Sequence, residues 1–133
     1  MPCLDATILI DILRRVPAAR AKIEELERGG PLLTTEIGAY ELYLGIERFG
    51  ARRRDEEARK VADLLAQVDA LPFDRASTIR TAQLSWDLKR RGQTIGLLDL
   101  LTAGIALGHG HDTIVTRDQE DFRRVPGIRV ETY

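Results

Sequence analysis

Short apolar runs alternate with longer segments of helical periodicity along the whole chain, and this alternation constrains the fold more than any other feature of the sequence. The runs that we predict to be strands are residues 2–5, 32–34, 71–73, 113–116 and 128–130. The predicted helices are residues 6–15, 18–28, about 35–49 after a cap at Thr34 or Thr35, 55–69, 75–91, 98–107 and 119–124. Such alternation is typical of βαβ units. It predicts an α/β fold, with a central, mostly parallel sheet flanked by helices on both faces.

The composition fits one ordered domain over residues 1–133, because 44% of the residues are hydrophobic and 31% are charged. No run reaches the ~18 apolar residues that a membrane span needs, so we expect no membrane association. Asp5 and Asp11 interrupt the apolar N-terminal run, unlike a signal peptide. The single cysteine, Cys3, has no partner for an internal disulfide. These features favour a cytoplasmic protein.

The charge balance excludes one class of function and leaves another open. Twenty Lys and Arg residues face 21 Asp and Glu residues, for a formal net charge of −1. This argues against a strongly basic protein that encloses nucleic acid in the way that histones do. It is compatible with local basic patches, or with an acidic site that reaches phosphate through a metal ion.

Three aspartates occupy positions that a solvated helix surface does not explain. Asp5 closes the first predicted strand, and Asp118 follows the strand at 113–116. Sites in parallel sheets lie beyond the carboxyl ends of the strands, where the strand order reverses. Asp99 is the only Asp, Glu, Lys or Arg between residues 92 and 111. Each of these aspartates alone could cap the following helix, and Asp118 with Asp121 could form a capping-box variant.

A fourth acid, Glu41, falls in the middle of a predicted helix that is apolar around most of its circumference. Gly38 and Gly45 flank it on the same face, although each glycine costs a helix interior roughly 1 kcal/mol. We interpret the two glycines as leaving space for another group to approach the Glu41 carboxylate closely. The alternative is a buried acid paired with an arginine such as Arg48.

Convergence of these four acids would be unfavourable unless some of them are protonated or a cation neutralises them. Two like charges ~4 Å apart repel by about 4 kcal/mol at an effective dielectric near 20. A cage of oxygen ligands without His or Cys suits Mg²⁺ or Mn²⁺ rather than zinc. One or two such ions can activate water and stabilise the leaving oxygen in phosphodiester hydrolysis.

The same residues carry a resemblance to PIN-domain proteins that spans nearly the whole chain. The segment at 4–9 (LDATIL) resembles their opening strand with its terminal Asp, and the segment at 41–45 (ELYLG) their helical acid. The segment at 95–99 (IGLLD), running into Thr102 and Ala103, resembles their third acid. The segment at 116–122 (TRDQEDF), followed by 126–128 (PGI), resembles their closing segment. Length and pattern are most similar to the VapC-type toxins of prokaryotic toxin–antitoxin pairs.

The resemblance implies a Mg²⁺- or Mn²⁺-dependent endoribonuclease that cleaves RNA, forms a homodimer and is inhibited by a cognate VapB-type antitoxin, whose C-terminal segment occupies the active-site groove. Carried over by position, Asp5, Glu41, Asp99 and Asp118 would ligate the metal and catalyse, with Asp121 as an optional fifth acid. The Thr7 hydroxyl would orient Asp5 or a metal-bound water. Ala6 departs from the Thr that is commoner there.

Other polar motifs give weaker indications. Arg14, Arg15 and Arg117 are the arginines nearest the proposed site in sequence and are candidates for phosphate contacts. The pair His109 and His111 suits a polar loop better than a metal site. The run Arg52-Arg53-Arg54 suits a solvated helix face better than an RNA contact. Phe49, Tyr40 and Tyr43 could belong to a partner surface or to the core.

Two other classes of function stay open on the sequence. A phospho-acceptor signalling domain also carries acids at strand ends and binds Mg²⁺, but it would want an acidic neighbour for Asp5 and a lysine after a central strand, and the sequence offers neither. A non-catalytic PIN-like scaffold would bind a partner only, and the complete set of acids speaks against it.

Overall fold

The computed structural model describes all 133 residues and contains five strands and seven helices. The strands are β1 (Cys3–Leu4), β2 (Leu33–Thr35), β3 (Asp69–Leu71), β4 (Thr113–Val115) and β5 (Arg129–Glu131). The helices are α1 (Ala6–Leu13), α2 (Pro17–Glu27), α3 (Glu36–Ile46), α4 (Ala51–Leu65), α5 (Arg75–Arg90), α6 (Leu97–Gly108) and α7 (Glu120–Arg123).

All five strands are parallel and lie in the order β3-β2-β1-β4-β5. From β1 the chain adds strands in one direction as far as β3, and it then crosses to the other side of β1 for β4 and β5. The order therefore reverses between β1 and β4, where Cys3 pairs with Ile114 and Leu4 with Val115. The predicted α/β fold is confirmed, and a binding site is expected beyond the carboxyl ends of these two strands.

Neighbouring residues of β1 and β4 belong to two different cores. Leu4 and Val115 pack with helices α1 to α4 on one face of the sheet. Cys3 and Ile114 pack with α5, α6 and the segment after β4 on the other face. Because successive side chains of a strand point to opposite faces, two apolar residues per strand are enough to anchor both layers. Burial raises the pKa of the Cys3 thiol to about 12, as suits a small buried side chain.

Helix α6, which carries Asp99, is held closely against α5. A Cβ at Gly104 would lie 1.8 Å from Thr81 Oγ1, and one at Gly108 would lie 2.8 Å from Ser77 Cα. Glycine at these two positions is therefore required by the close approach of the helices. The packing fixes the axis of α6 and with it the position of its first turn.

The element boundaries differ from the predictions mainly around α4 and β3. Helix α4 begins at Ala51, and β3 occupies Asp69–Leu71 rather than residues 71–73. Asp69 pairs with Leu33 of β2, and Pro72 has no N–H with which to extend the ladder. None of the helices combines the length and the apolar character needed to cross a membrane.

Candidate functional site

Asp5 lies at the carboxyl end of β1 and is 6% exposed. Its Oδ1 accepts hydrogen bonds from Thr7 N at 2.9 Å and Thr7 Oγ1 at 2.6 Å, and its Oδ2 accepts one from Thr116 Oγ1 at 2.7 Å. Burial raises the pKa of the Asp5 carboxyl, and these hydrogen bonds partly oppose that rise. Asp5 does cap α1, as the simplest interpretation proposed, but all its contacts are to neutral donors.

Asp99 is the third residue of α6, and the N-cap of that helix is Gly96. Asp99 is therefore not a capping residue. The pKa of its half-buried carboxyl is raised to about 7 by burial, by a hydrogen bond with the Asp121 carboxyl, and by the negative charges of Asp121, Asp5 and Glu41. The four acids lie close enough together to make full ionisation unfavourable.

Asp121 approaches Asp99 from α7, across the N-terminus of α6. Its Oδ2 accepts a hydrogen bond from Gly96 N at 3.2 Å. A Cβ at Gly96 would lie 3.7 Å from Asp121 Oδ2 and 3.9 Å from Asp99 Oδ2, so both carboxylates border this glycine. Arg124 forms a long contact with Asp121 at 3.5 Å and also pairs with Glu120.

Glu41 projects from α3, which packs against both α1 and α6. Its carboxylate forms no ion pair. The expected alternative partner, Arg48, lies instead over the Phe49 ring at 4.9 Å. The pKa of Glu41 is raised by burial and by the charge of Asp5. The arginine-paired interpretation of Glu41 is wrong.

The interpretation of Gly38 is also wrong. A Cβ at this position would lie 2.8 Å from Thr34 Oγ1, so Gly38 is needed for the packing of α3 against β2. A Cβ at Gly45 would meet nothing within 4 Å, and Gly45 borders a groove that also includes Glu41. Only Gly45 therefore leaves open space on the Glu41 side of α3.

Asp118 stands apart from the other acids. It is exposed, its N–H donates to Thr116 Oγ1 at 3.0 Å, and its carboxylate forms no hydrogen bond or ion pair with the protein. It does not cap α7, whose N-cap is Gln119. The structure thus brings together Asp5, Glu41, Asp99 and Asp121, whereas the sequence placed Asp118 in the central set and left Asp121 optional.

No three of the Asp, Glu, His and Cys side chains are arranged closely enough to hold a metal ion as they stand. These carboxyls nevertheless lie within range of one another's charge, which adds to the effect of burial in raising the pKa values of Asp99 and Glu41. Side-chain rotation would be needed to close the set around an ion. The donors are oxygen atoms, the kind of ligand that a hard divalent ion prefers, and their one cationic contact is that of Arg124 with Asp121 at 3.5 Å.

A second cluster lies beside Asp5 and was missed by the sequence analysis. Asp11 is 3% exposed, and it accepts hydrogen bonds from Arg117 Nη1 and Tyr133 Oη, each at 2.6 Å. Arg117 N also donates to Thr7 Oγ1 at 2.9 Å. Burial and the Asp11 carboxylate raise the pKa of Tyr133 above its usual range. Thr116, which bonds Asp5, was also missed, although a hydroxyl directly after a buried strand was a usable signal.

The other two arginine candidates, Arg14 and Arg15, border different grooves. Arg14 borders the same groove as Glu41, while Arg15 borders a separate groove with Arg20 and Glu24. His109 contacts Pro72 O at 3.1 Å, and His111 contacts the N-terminal amine at 3.3 Å. The two histidines therefore have different partners, as suits a polar loop.

Comparison with known proteins gives a consistent result across the chain. The family model described as PIN domain matches residues 3–128. The chain is 28% identical to the tRNA(fMet)-specific endonuclease VapC of Shigella flexneri, over 98% of this chain and 96% of that protein. It is 31% identical to the protein of the same name from Salmonella typhimurium, over 74% of this chain and 73% of that protein.

The fold is also similar to solved structures. The crystal structure of DNA-bound VapBC from Salmonella typhimurium matches with a TM-score of 0.85 and 27% identity, over 99% of this chain and 98% of that chain. Sequence and structure comparisons thus agree over the region that contains all the acids described above.

Proposed function

The chain belongs to the PIN-domain family and, within it, to the VapC-type ribonucleases, and on this premise we propose that it is a divalent-metal-dependent endoribonuclease toxin that hydrolyses RNA phosphodiester bonds. The observation that carries the proposal is the convergence of Asp5, Glu41, Asp99 and Asp121, which come from four different parts of the chain and lie close enough for their charges, with burial, to raise the pKa of Asp99. Acids in this state gain free energy when they bind a divalent cation. The alternative of a phospho-acceptor domain is not favoured, because Lys22 and Lys60 pair with glutamates and Lys89 lies exposed on α5.

We propose Asp5, Glu41, Asp99 and Asp121 as the residues that hold one or two Mg²⁺ or Mn²⁺ ions, with Asp118 joining from the margin of the site. The donors fit because they are carboxyl oxygens, and the one positive partner among them is Arg124, which contacts Asp121 at 3.5 Å. A bound divalent ion would supply charge stabilisation for the attacking and leaving oxygens of an in-line displacement.

The remaining residues prepare the site. Thr7 and Thr116 hold both oxygens of Asp5 by short hydrogen bonds, which fixes the rotamer of the most buried of the proposed metal ligands. Burial and the neighbouring acids raise the pKa of Asp99, which favours its protonated form in the ion-free protein. Ion binding would favour the ionised carboxylate of Asp99.

The direct test measures cleavage of a mixed RNA sample by the purified protein with EDTA, and after addition of excess Mg²⁺ or Mn²⁺. We expect no cleavage in EDTA, recovery with either ion, and a loss of at least about 100-fold in the Asp5→Asn variant. The matched control is Asp63→Asn, an exposed aspartate of α4 without an ion pair. Cleavage that survives both EDTA and Asp5→Asn would refute the assignment.

We propose a VapB-type antitoxin as the partner, with a segment that lies in the groove beside Glu41. This groove has a volume of about 280 Å³, and apolar residues such as Leu13, Ile46 and Phe49 line it together with Arg14. The VapBC complex among the similar structures supports this assignment. Co-purification with a co-expressed VapB-type antitoxin, lost on Phe49→Ser in the groove but not on an exposed change such as Ala62→Ser, would test it.

We also propose a homodimer. Ile79 and Trp86 on α5 are 54% and 63% exposed and lie seven residues apart, on one face of the helix. Tyr40 and Tyr43 are also exposed, so core packing does not account for them. Light scattering should give twice the mass of one chain, and Trp86→Ser should shift the measured mass towards that of a single chain.

Because cellular RNA lies in the cytoplasm, the proposed activity requires the protein to act there.

A further inference from the structure

An open cleft of about 790 Å³ lies between the C-terminal end of α5 and the segment that follows β4. We call it the arginine cleft, because four arginines line it together with two glutamines: Arg91, Gln93, Arg117, Gln119, Arg123 and Arg124. The acids Asp118 and Glu120 complete the lining, and no hydrophobic residue contributes to it. The cleft therefore carries a formal charge of +2 in a chain whose net charge is −1.

The arginines of the cleft differ in how far their charge is already compensated. Arg117 is bonded to Asp11, and Arg124 contacts Glu120 and Asp121. Arg123 contacts only the neutral amide of Gln119, and the Arg91 side chain forms no hydrogen bond or ion pair. Two exposed guanidinium groups are thus free to bind an anion from outside the protein.

The cleft is continuous with the proposed catalytic site through three consecutive residues. Thr116 bonds Asp5, Arg117 bonds Asp11 beside it, and Asp118 lines the cleft. A strand of RNA that has its scissile phosphate at the acids could therefore continue directly into the cleft.

We propose that the arginine cleft binds the sugar–phosphate backbone of single-stranded RNA next to the scissile bond, an inference that rests on the proposed ribonuclease function. Guanidinium groups bind phosphate through two parallel hydrogen bonds, and the glutamine amides can reach the ribose hydroxyls. No aromatic side chain is present for base stacking, so the cleft binds the backbone without stacking the bases. An acidic protein segment fits less well, because protein interfaces rely on an apolar or aromatic centre.

The test uses binding rather than cleavage. All proteins carry Asp99→Asn to prevent cleavage, and EDTA is present to exclude metal-bridged contacts. The probe is a fluorescent 12-nucleotide oligouridylate, and anisotropy gives its Kd over a series of salt concentrations. We expect the variant with Arg91→Ala and Arg123→Ala to bind about tenfold more weakly, and its slope of log K against log salt to fall by about 1.4, or about 0.7 for each lost phosphate contact.

The matched control carries Arg59→Ala and Arg75→Ala. Both arginines are exposed and form no ion pair, and Arg75 begins the helix that ends next to Arg91, about 24 Å away along its axis. We expect its Kd and salt slope to equal those of the parent. Replacing Arg91 and Arg123 by lysine should retain the slope and recover part of the affinity, because the charge remains but the fork is lost.

Equal Kd values and salt slopes for the cleft variant and its control would overturn the inference. So would a stronger effect of the cleft variant on a fluorescent polyglutamate peptide than on the oligouridylate, since the cleft would then be an acidic-protein site. The outcome is separable from the proposed function. RNA binding that depends on the cleft, together with a wild-type protein that cleaves no RNA in Mg²⁺ or Mn²⁺, would refute only the nuclease. Cleavage by the wild-type protein, together with binding that the cleft variant leaves unaltered, would refute only the cleft.

Discussion

Asp11 and Asp99 are two sequestered carboxylates near the same strand ends, and the protein treats them in opposite ways. Asp11 is almost fully buried and bonds both a guanidinium, from Arg117, and a phenol, from Tyr133. Asp99 is half-buried, faces other carboxyls, and has its pKa raised to about 7. Burial is greater at Asp11, yet the unfavourable electrostatics are concentrated at Asp99.

We interpret Asp11 as a structural acid and propose Asp99 as a functional one. A buried charge costs several kcal/mol unless it is paired, and at Asp11 the fold supplies the pair from residues more than 100 positions away in sequence. At Asp99 the fold supplies more negative charge instead. An arrangement that opposes its own ionisation is kept where an external cation completes it.

The largest expected difference between the two acids is in catalysis. We predict that Asp99→Asn lowers kcat/KM for RNA cleavage in Mg²⁺ by at least about 100-fold, because it removes a charge that the cation needs. Asp11→Asn preserves the side-chain volume and a hydrogen-bonding oxygen, and it should cost less than about tenfold. Steady-state cleavage of a labelled RNA measures both. Comparable losses in the two variants would remove the distinction drawn here.

The next largest effect is on stability, and here we expect the change at Asp11 to matter more than the change at Asp99. Asp11→Ala leaves the Tyr133 hydroxyl and the Arg117 guanidinium without their acceptor, and we expect a loss of about 1–3 kcal/mol in the free energy of unfolding. The exposed Asp63→Ala provides the control. Urea denaturation in EDTA measures the change, and Asp11→Ala as stable as that control would show that the pair contributes nothing.

The raised pKa of Asp99 predicts the dependence of stability on pH. Between pH about 4 and about 7 the folded protein holds a proton on Asp99 that the unfolded chain releases. Stability therefore falls as the pH rises through this window and is level above it. After allowance for solvent screening of a half-exposed group, the loss is about 1–2 kcal/mol.

The measurement is the difference in unfolding free energy between wild type and Asp99→Asn in EDTA from pH 4 to pH 8. The variant should lack this part of the decline, while Asp5 and Glu41, whose pKa values are also raised, keep theirs. At pH 8, Mg²⁺ should stabilise wild type more than the variant. A difference that is constant over the whole pH range would contradict the raised pKa.

The features of the fold and the site that the sequence could predict depend on local patterns along the chain, and those it could not predict depend on contacts between distant segments. The alternation of strands and helices predicted the fold, and the strand ends predicted that Asp5 lies at the point where strand order reverses. The choice between Asp118 and Asp121 could not be predicted, because it depends on how the segment after β4 and the short helix α7 lie against the N-terminus of α6. The partnership of Asp11 with Tyr133 could not be predicted either, since it joins the first helix to the last residue.

The prediction with the smallest expected effect tests how closely a bound ion approaches the carboxylates of Asp99 and Asp121, which border Gly96. Gly96 caps α6 with φ −59° and ψ 146°, and Gly50 caps α4 with φ −65° and ψ 161°, so alanine fits the backbone at both positions. Each change should alter the free energy of unfolding by no more than about 0.5 kcal/mol. The loss of a tolerated cap residue destabilises the helix, and the lower entropy of the unfolded chain offsets this loss. Only at Gly96 does the new methyl group contact Asp99 and Asp121. We therefore expect the Kd for Mg²⁺, measured by calorimetry, to be about threefold higher for Gly96→Ala than for Gly50→Ala. A tenfold change in Kd corresponds to about 1.4 kcal/mol, so the expected loss of binding free energy is smaller than that. Identical Mg²⁺ affinities in the two variants would mean that the ion is held without close approach to this pair, and Asp5 with Glu41 would then be the stronger candidates for its ligands.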